Sequence, residues 1–338
     1  MSYKYLKSSA VGSTLWVEIH NPHVNFLTLE ILQELWHVLG AVERDDSVRV
    51  LVVTGGIEDT YIMHFSIPEL QRILEENKKS PIARLARFPL GRAVLDGLIT
   101  VNNLLMDRFP SLERANLLLA RALGERMFTL LLWLQMQRLY RAVERSGKVT
   151  VAAINGNCNG GGSELSACFD FRFMVGDRGF AIGQPEVLVG IIPGGGGTQR
   201  WPRLIGKGRA LGWMLTGAQL EAGEAREMGI VTDVFPAAEF TERVQAFCDL
   251  MARRPPVAVS AIKRAVHGGM DTFLSRGLTV ELLESLRVFD TRDAERALWS
   301  YAGILEEEVD VPPEARVDAG ELMRRMGDGS FTEPFEGR

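Results

Sequence analysis

One stretch of this chain restricts its possible folds more than any other. Residues Val149 to Ile154 form an uninterrupted apolar and β-branched run that leads straight into Asn155-Gly-Asn-Cys-Asn-Gly160-Gly161-Gly162-Ser163-Glu164-Leu165. A run of that length and composition, bounded by a glycine turn, is the pattern of a strand buried on both faces. The residues after the triplet read as a helix start. Successive glycines at such a junction let backbone N–H groups approach a ligand with no Cβ in the way. At a helix N-terminus those groups also point outward along the positive end of the dipole. A developing oxyanion is stabilised in such a place, and the Glu164 carboxylate lies within a few residues of it.

A second constellation follows. Gly183-Gln184-Pro185-Glu186 sets another carboxylate in a rigid turn, and Ile192-Pro193-Gly194-Gly195-Gly196-Gly197-Thr198-Gln199-Arg200 then opens a helix through a glycine-rich loop. Two carboxylates beside such amides can serve as base and acid for proton transfer. Each feature alone has a plainer reading. A glycine triplet is more often a loop or packing device, and a glutamate at a helix start usually serves the cap or the dipole. Dinucleotide binding would need a ribose-binding acid in a clear βαβ context, and the chain offers none. The combination is what points to chemistry.

The rest of the chain supports an α/β organisation. Strands are expected at Thr14–His20, Val48–Thr54, Phe171–Val175, Phe180–Ile182 and Ile230–Phe235, with a helix over Leu27–Arg44. Strands alternating with helices argue for parallel pairing. From Glu239 the pattern turns helical, with helices over Glu239–Arg253, Val257–His267, Leu274–Phe289 and Asp293–Tyr301. The tail from Glu306 is acidic, then Pro/Gly-containing, and is expected to be partly irregular. Between about Ile73 and Gly124 lies a helical stretch rich in Leu and Arg, in which Pro110-Ser111 with Glu113 marks a helix start and Gly124 a stop. This stretch suits a lid over a pocket, an oligomer contact or attachment to a membrane surface. The apolar run Met127–Leu134 is expected to pack in the core.

Composition excludes some classes. The net charge is −5 and no dense Lys/Arg block occurs, so the footprint of a nucleic-acid binder is missing. The three cysteines, Cys158, Cys168 and Cys248, have no zinc-like spacing and cannot all pair, which fits a reducing compartment. Cys158 reads as a packing residue rather than a nucleophile. Met1–Gly12 carries no secretory pattern, and apolar stretches fall short of the ~20 residues of a membrane span. A cytoplasmic protein is the expectation.

Taken together, Val151-Ala-Ala-Ile-Asn-Gly156, Gly160-Gly161-Gly162-x-Glu164-Leu165, Asp170-x-Arg172, Gly183-Gln-Pro-Glu186 and Pro193-Gly-Gly-x-Gly197-Thr-Gln-Arg200 resemble the core signature of the crotonase (enoyl-CoA hydratase/isomerase) superfamily. Pro22-x-x-Asn25-x-Leu27, Val48–Gly55 and Thr216-Gly217 through Ile230-Val231 match as well. The resemblance implies a crotonase-like α/β spiral of ββα units, with a core over 1–250, a helical insertion at about 71–126 and a C-terminal helical oligomerisation region over 251–338. It implies a homotrimer, often paired into a hexamer, and an acyl-CoA substrate with no metal or organic cofactor. The backbone N–H groups of Phe65 and Gly161 would hold the thioester carbonyl. Glu164 would position and deprotonate water, and Glu186 would exchange the proton at Cα. Met63, His64, Gly160, Pro193 and Gly194 would contact substrate.

Three departures from the family pattern stand out. Met63-His64-Phe65 is bulkier than the family's Ala-Gly-Ala, and His64 either shapes its loop through a hydrogen bond or takes part in acid/base chemistry. The stretch from Asp170 to Glu186 is slightly long. About fifty extra residues enter between Leu70 and Met127, judged against usual loop lengths, and the C-terminal region lacks the Lys/Arg-rich helix that often holds CoA phosphates. Hydration of a 2,3-enoyl thioester is the activity expected from both glutamates. A double-bond isomerase and a C–C hydrolase of β-diketones are the enzymatic alternatives, and a catalytically silent assembly module is the non-enzymatic one.

Overall fold

The computed structural model describes residues 3–109, 112, 115–118, 122, 128–307 and 319–337. Its larger sheet has six strands, β1 (Leu6–Val11), β2 (Thr14–Ile19), β3 (Val50–Gly55), β5 (Val149–Ile154), β7 (Phe171–Val175) and β10 (Asp233–Phe235), in that spatial order. β1 and β2 form an antiparallel hairpin and every other pair is parallel. β3 and β5 are buried along their whole length, as their lack of alternation requires. The smaller sheet has β4 (Thr60–Ile62), β6 (Asn157–Asn159), β8 (Ala181–Gly183) and β9 (Gln219–Glu221). Strands β4, β6 and β8 are parallel and β9 closes the sheet antiparallel.

From β3 to β8 consecutive strands alternate between the two sheets. β3 feeds β4, β5 feeds β6 and β7 feeds β8, and after each pair the chain turns into a helix. These are α2 (Ile67–Lys79) after β4, α6 (Gly161–Ser166) after β6, and the 3₁₀ turn Pro185–Val189 after β8. This is the spiral of ββα units that the resemblance implies. It brings three loops to one edge, beyond the carboxyl ends of β4, β6 and β8, where open parallel sheets hold ligands.

The remaining helices up to the insertion's end are α1 (Leu29–Val42), α3 (Pro81–Leu85), α4 (Pro89–Arg108) and α5 (Phe128–Glu144). Thr28 caps α1, its hydroxyl accepting from Ile31 N at 3.2 Å, and Ile31, Leu32, Leu35, Val38, Leu39 and Val42 bury one face at helical spacing. Further along come α7 (Gly197–Ile205), α8 (Lys207–Thr216), α9 (Ala222–Glu227) and α10 (Phe240–Ala252). The C-terminal helices are α11 (Pro256–Met270), α12 (Leu274–Phe289), α13 (Arg292–Glu307) and α14 (Ala319–Asp328). Lys263 of α11 docks this layer on the large sheet, donating to Asp170 Oδ2 at 2.6 Å and to Lys148 O at 2.8 Å.

Most expected elements form within a few residues of their expected ends. The sequence reading missed β1, whose polar Lys7, Ser8 and Ser9 hide the hairpin, and the three-residue strands β4, β6 and β9. The tail, expected to be partly irregular, contributes the ten-residue helix α14. The helix start at Pro110-Ser111 and its stop at Gly124 lie outside the described residues.

Candidate active site

Glu164 sits in the first turn of α6 and is 4% exposed. Its Oε1 accepts from Gly195 N at 2.7 Å and from Gly197 N at 2.9 Å. Burial pushes its pKa up, while the Gly197 and Gly195 amides and the nearby Arg200 guanidinium pull it back. Arg200 is itself held by Glu144, Nη2 to Oε2 at 3.0 Å. The glycine loop at 194–197 therefore has a task that the sequence did not disclose. Its amides hold a carboxylate of the protein, and a Cβ on Gly195 would lie 2.5 Å from Glu164 Oε2.

Glu186 stands in the 3₁₀ turn beyond β8. Its Oε2 is buried and has no hydrogen-bond partner among the described residues. Burial, and secondarily the charge of Glu164, push its pKa up to about 7. Gly160 makes room for it: φ is +49°, and a Cβ there would be 3.1 Å from Glu186 Oε1. A carboxyl near 7 with a free oxygen is suited to both giving and taking a proton at neutral pH.

The other two loops meet beside these carboxylates. Leu27 pairs with Phe65 in a parallel bridge, Leu27 N donating to His64 O and Ser66 N to Leu27 O, each at 2.9 Å. In that pairing the neighbours of Phe65 make the bonds, so its own N–H faces away from Leu27. The Phe65 ring packs over Gly161, where a Cβ would come 3.2 Å from Phe65 Cδ2. Gly162 has a different reason to be glycine, since a Cβ would fall 2.6 Å from Ile62 O and Cβ. Buried Asn25 ties this corner together, its Nδ2 donating to Ile19 O at 2.8 Å and Tyr61 O at 3.1 Å.

A cavity of about 400 Å³ opens where the loops converge. Glu164, Glu186, Phe65, Gly161, His64, Gly160 and Gly194 all line it. Met63 and Pro193 do not: Met63 Sδ lies 3.8 Å from Asn159 Nδ2, and buried Pro193 packs under the loop against Gly197. His64 Nδ1 is 2.7 Å from Phe65 O. A carbonyl can only accept, so Nδ1 carries the proton, and the ring also packs on Phe26 with centroids 4.7 Å apart. The loop-shaping role thus has visible contacts. Cys158 is fully buried and burial pushes its thiol up, in keeping with packing.

The sequence reading also missed most of the cavity wall. Thr129, Leu132, Trp133 and Met136 of α5 line it, as do Ile67, Leu70 and Ile73 of α2. The signal was present, because 129, 132, 133 and 136 follow the i, i+3, i+4, i+7 pattern of one helix face. The expectation of core packing holds for Phe128, Leu132 and Leu134, which are buried; Met127 lies outside the described residues.

A family model described as enoyl-CoA hydratase/isomerase matches residues 119–307. The chain belongs to this family. YngF of Bacillus subtilis, which is named for the same family, is 34% identical over 302 residues, spanning 86% of this chain and 96% of its own length. The short-chain-enoyl-CoA hydratase of Clostridium acetobutylicum is 27% identical over 292 residues, spanning 86% and 91%. A crystal structure of an enoyl-CoA hydratase from Geobacillus kaustophilus superposes with a TM-score of 0.71 at 26% identity, covering 90% of this chain and 95% of that one. Among the described residues, no helix is long and apolar enough to cross a membrane.

Proposed function

We propose that this enzyme hydrates the 2,3-double bond of an enoyl-CoA thioester reversibly. The observation that carries the reading is the convergence of Glu164 and Glu186 on one cavity. The N–H groups of Phe65 and Gly161 hold the thioester oxygen and stabilise the enolate. Glu164, oriented by two backbone amides, takes a proton from water as its oxygen bonds to C3. Glu186 delivers the proton that forms the C–H bond at C2. Both steps are proton transfers between carboxyl groups, water and carbon, so the reaction as proposed needs no metal or organic cofactor. The division into a core over 1–250 and a C-terminal helical region over 251–338 belongs to the same proposal, as does assembly into a homotrimer or hexamer. Exposed Phe273, Leu282, Leu286 and Phe289 on the C-terminal layer support the assembly.

The test is loss of the conjugated enoyl-thioester absorbance. Glu164→Gln and Glu186→Gln are each expected to lower turnover by about 10²- to 10⁴-fold. Near-normal hydration by either variant would overturn the reading. An isomerase needs only one carboxylate near Cα and Cγ. Retention of double-bond migration in Glu164→Gln, with no hydration by the unmodified protein, would identify that activity instead.

A further inference from the structure

The cavity has a direction. Met136 marks its inner end, since its Sδ lies 3.1 Å from the Cβ position of Gly195, beside Glu164. Thr129 lies seven residues earlier on α5, about 10.5 Å along the helix axis. On α2, Ile67 follows the Phe65 loop directly, and Ile73 is about 9 Å further along that axis. Both helices therefore lead away from the carboxylates over similar distances, about 9 and 10.5 Å. The side chains between, Leu70, Leu132 and Trp133, are apolar.

The two helices are fastened together at the far end. Glu76 Oε2 accepts from Thr129 N at 2.8 Å and from Thr129 Oγ1 at 3.0 Å. The Arg72 guanidinium stacks over the Phe128 ring, 4.0 Å from its centroid. At the near end, Glu69 of α2 takes the Leu29 N–H at the start of α1, at 3.2 and 3.3 Å. The wall is thus fixed at several points, and among the described residues its α2–α5 side ends on a hydrogen-bonded polar pair that offers an alkyl chain no apolar contact.

We propose that α2 and α5 form a length gauge for a medium-chain acyl group of about ten carbons. The inference rests on the thioester reading given above. An extended chain of ~1.5 Å bonds at ~111° advances about 1.25 Å per carbon, so about 10 Å of apolar wall accepts roughly eight carbons beyond the reacting ones. A short acyl group leaves Leu70, Ile73 and Trp133 uncovered, and a longer one meets the hydrogen-bonded Glu76–Thr129 pair.

The test uses saturated acyl-CoA thioesters, which bind but cannot be hydrated, so it reads the gauge separately from the reaction. Dissociation constants of butyryl-, hexanoyl-, octanoyl-, decanoyl- and tetradecanoyl-CoA would be measured calorimetrically on the full chain. Affinity is expected to rise by roughly two- to fourfold per methylene up to about ten carbons, and then to level off. Leu70→Trp should move that break to a shorter chain; if the variant fails to fold, the unmodified series decides alone. Equal affinity across the series, tightest binding of butyryl-CoA, or no binding of any thioester would overturn the gauge. Normal length dependence with no hydration of the matching enoyl thioesters would leave the gauge standing and remove the hydratase reading.

Discussion

The loops around the carboxylates and the inserted helices α3 and α4 are built on opposite principles. Around Glu164 and Glu186 a single added methyl on Gly160, Gly162, Gly195 or Gly197 would meet an atom at 2.5 to 3.1 Å. On α4, Leu90 is 79% exposed and Leu98 and Leu104 are each 64% exposed. Glycine on α4 is of two kinds: a Cβ on Gly91 would collide with Leu85 O, as a Cβ would in the loops, whereas Gly97 is open. In the loops it is the residue that fits. At Gly97 of α4 nothing among the described residues lies within 4 Å of a Cβ. Geometry at the site is set by contact, whereas α4 presents its apolar side chains outward in the single chain.

The largest effect expected from this contrast is at Gly195. Alanine there drives a methyl into the Glu164 carboxyl, which two amides hold in place. A displacement on the order of 1 Å from reacting geometry costs about 10²-fold in rate. Gly195→Ala should lower kcat of enoyl-thioester hydration by at least that factor and leave the far-ultraviolet circular dichroism unchanged. Normal turnover would mean that the Glu164 position is not set by this loop. Gly162→Ala tests packing rather than chemistry. Its methyl meets Ile62 O and Cβ, part of strand β4, and overpacking of this kind destabilises by about 1–3 kcal/mol. Urea unfolding with an unchanged m-value and a lower midpoint would report it.

The same contrast explains what could be read in the sequence. Val149–Ile154 and Val48–Thr54 are legible because strands buried on both faces draw almost entirely on apolar and β-branched residues. The glycine loops are legible because so few residues satisfy their contacts. The task of Gly195 and Gly197 was not legible, because a loop that cradles a bound anion and one that cradles the protein's own Glu164 share a composition. β4, β6 and β9 are too short to carry a period of two, yet β4 and β6 deliver the Phe65 and Gly161 loops to the site. The cavity face of α5 was hidden for another reason: Leu132 and Trp133 look like core residues, and the helix serves both roles.

A smaller effect separates Glu186 in the site from Glu69 on α2 by pH. Burial pushes both Glu186 and Glu69 up to about 7, whereas an unfolded glutamate titrates near 4.3. Between those values the folded chain holds protons that the unfolded chain has released. Stability therefore falls as pH rises from about 4.3 to about 7, and stays at the lower level above it. Glu69→Gln keeps an acceptor for the Leu29 N–H and removes the titration, so urea midpoints at pH 5 and 8 should lie closer together than in the unmodified protein. Turnover should keep its pH dependence near 7, which belongs to Glu186. Loss of that dependence in Glu69→Gln would transfer the proton-exchanging role away from Glu186.

The smallest effect bears most directly on α4. Alanine at Gly97 adds a methyl to open space in a helix interior, where glycine costs roughly 0.5–1 kcal/mol relative to alanine. In a free helix surface Gly97→Ala should raise stability by up to that amount and leave turnover and oligomer size unchanged. Lower stability with a smaller assembly by light scattering would show that the α4 face is covered in solution, with Gly97 admitting a close backbone approach. Gly97 would then follow the rule that Gly91 and the loop glycines already follow, with its contacts supplied by another chain.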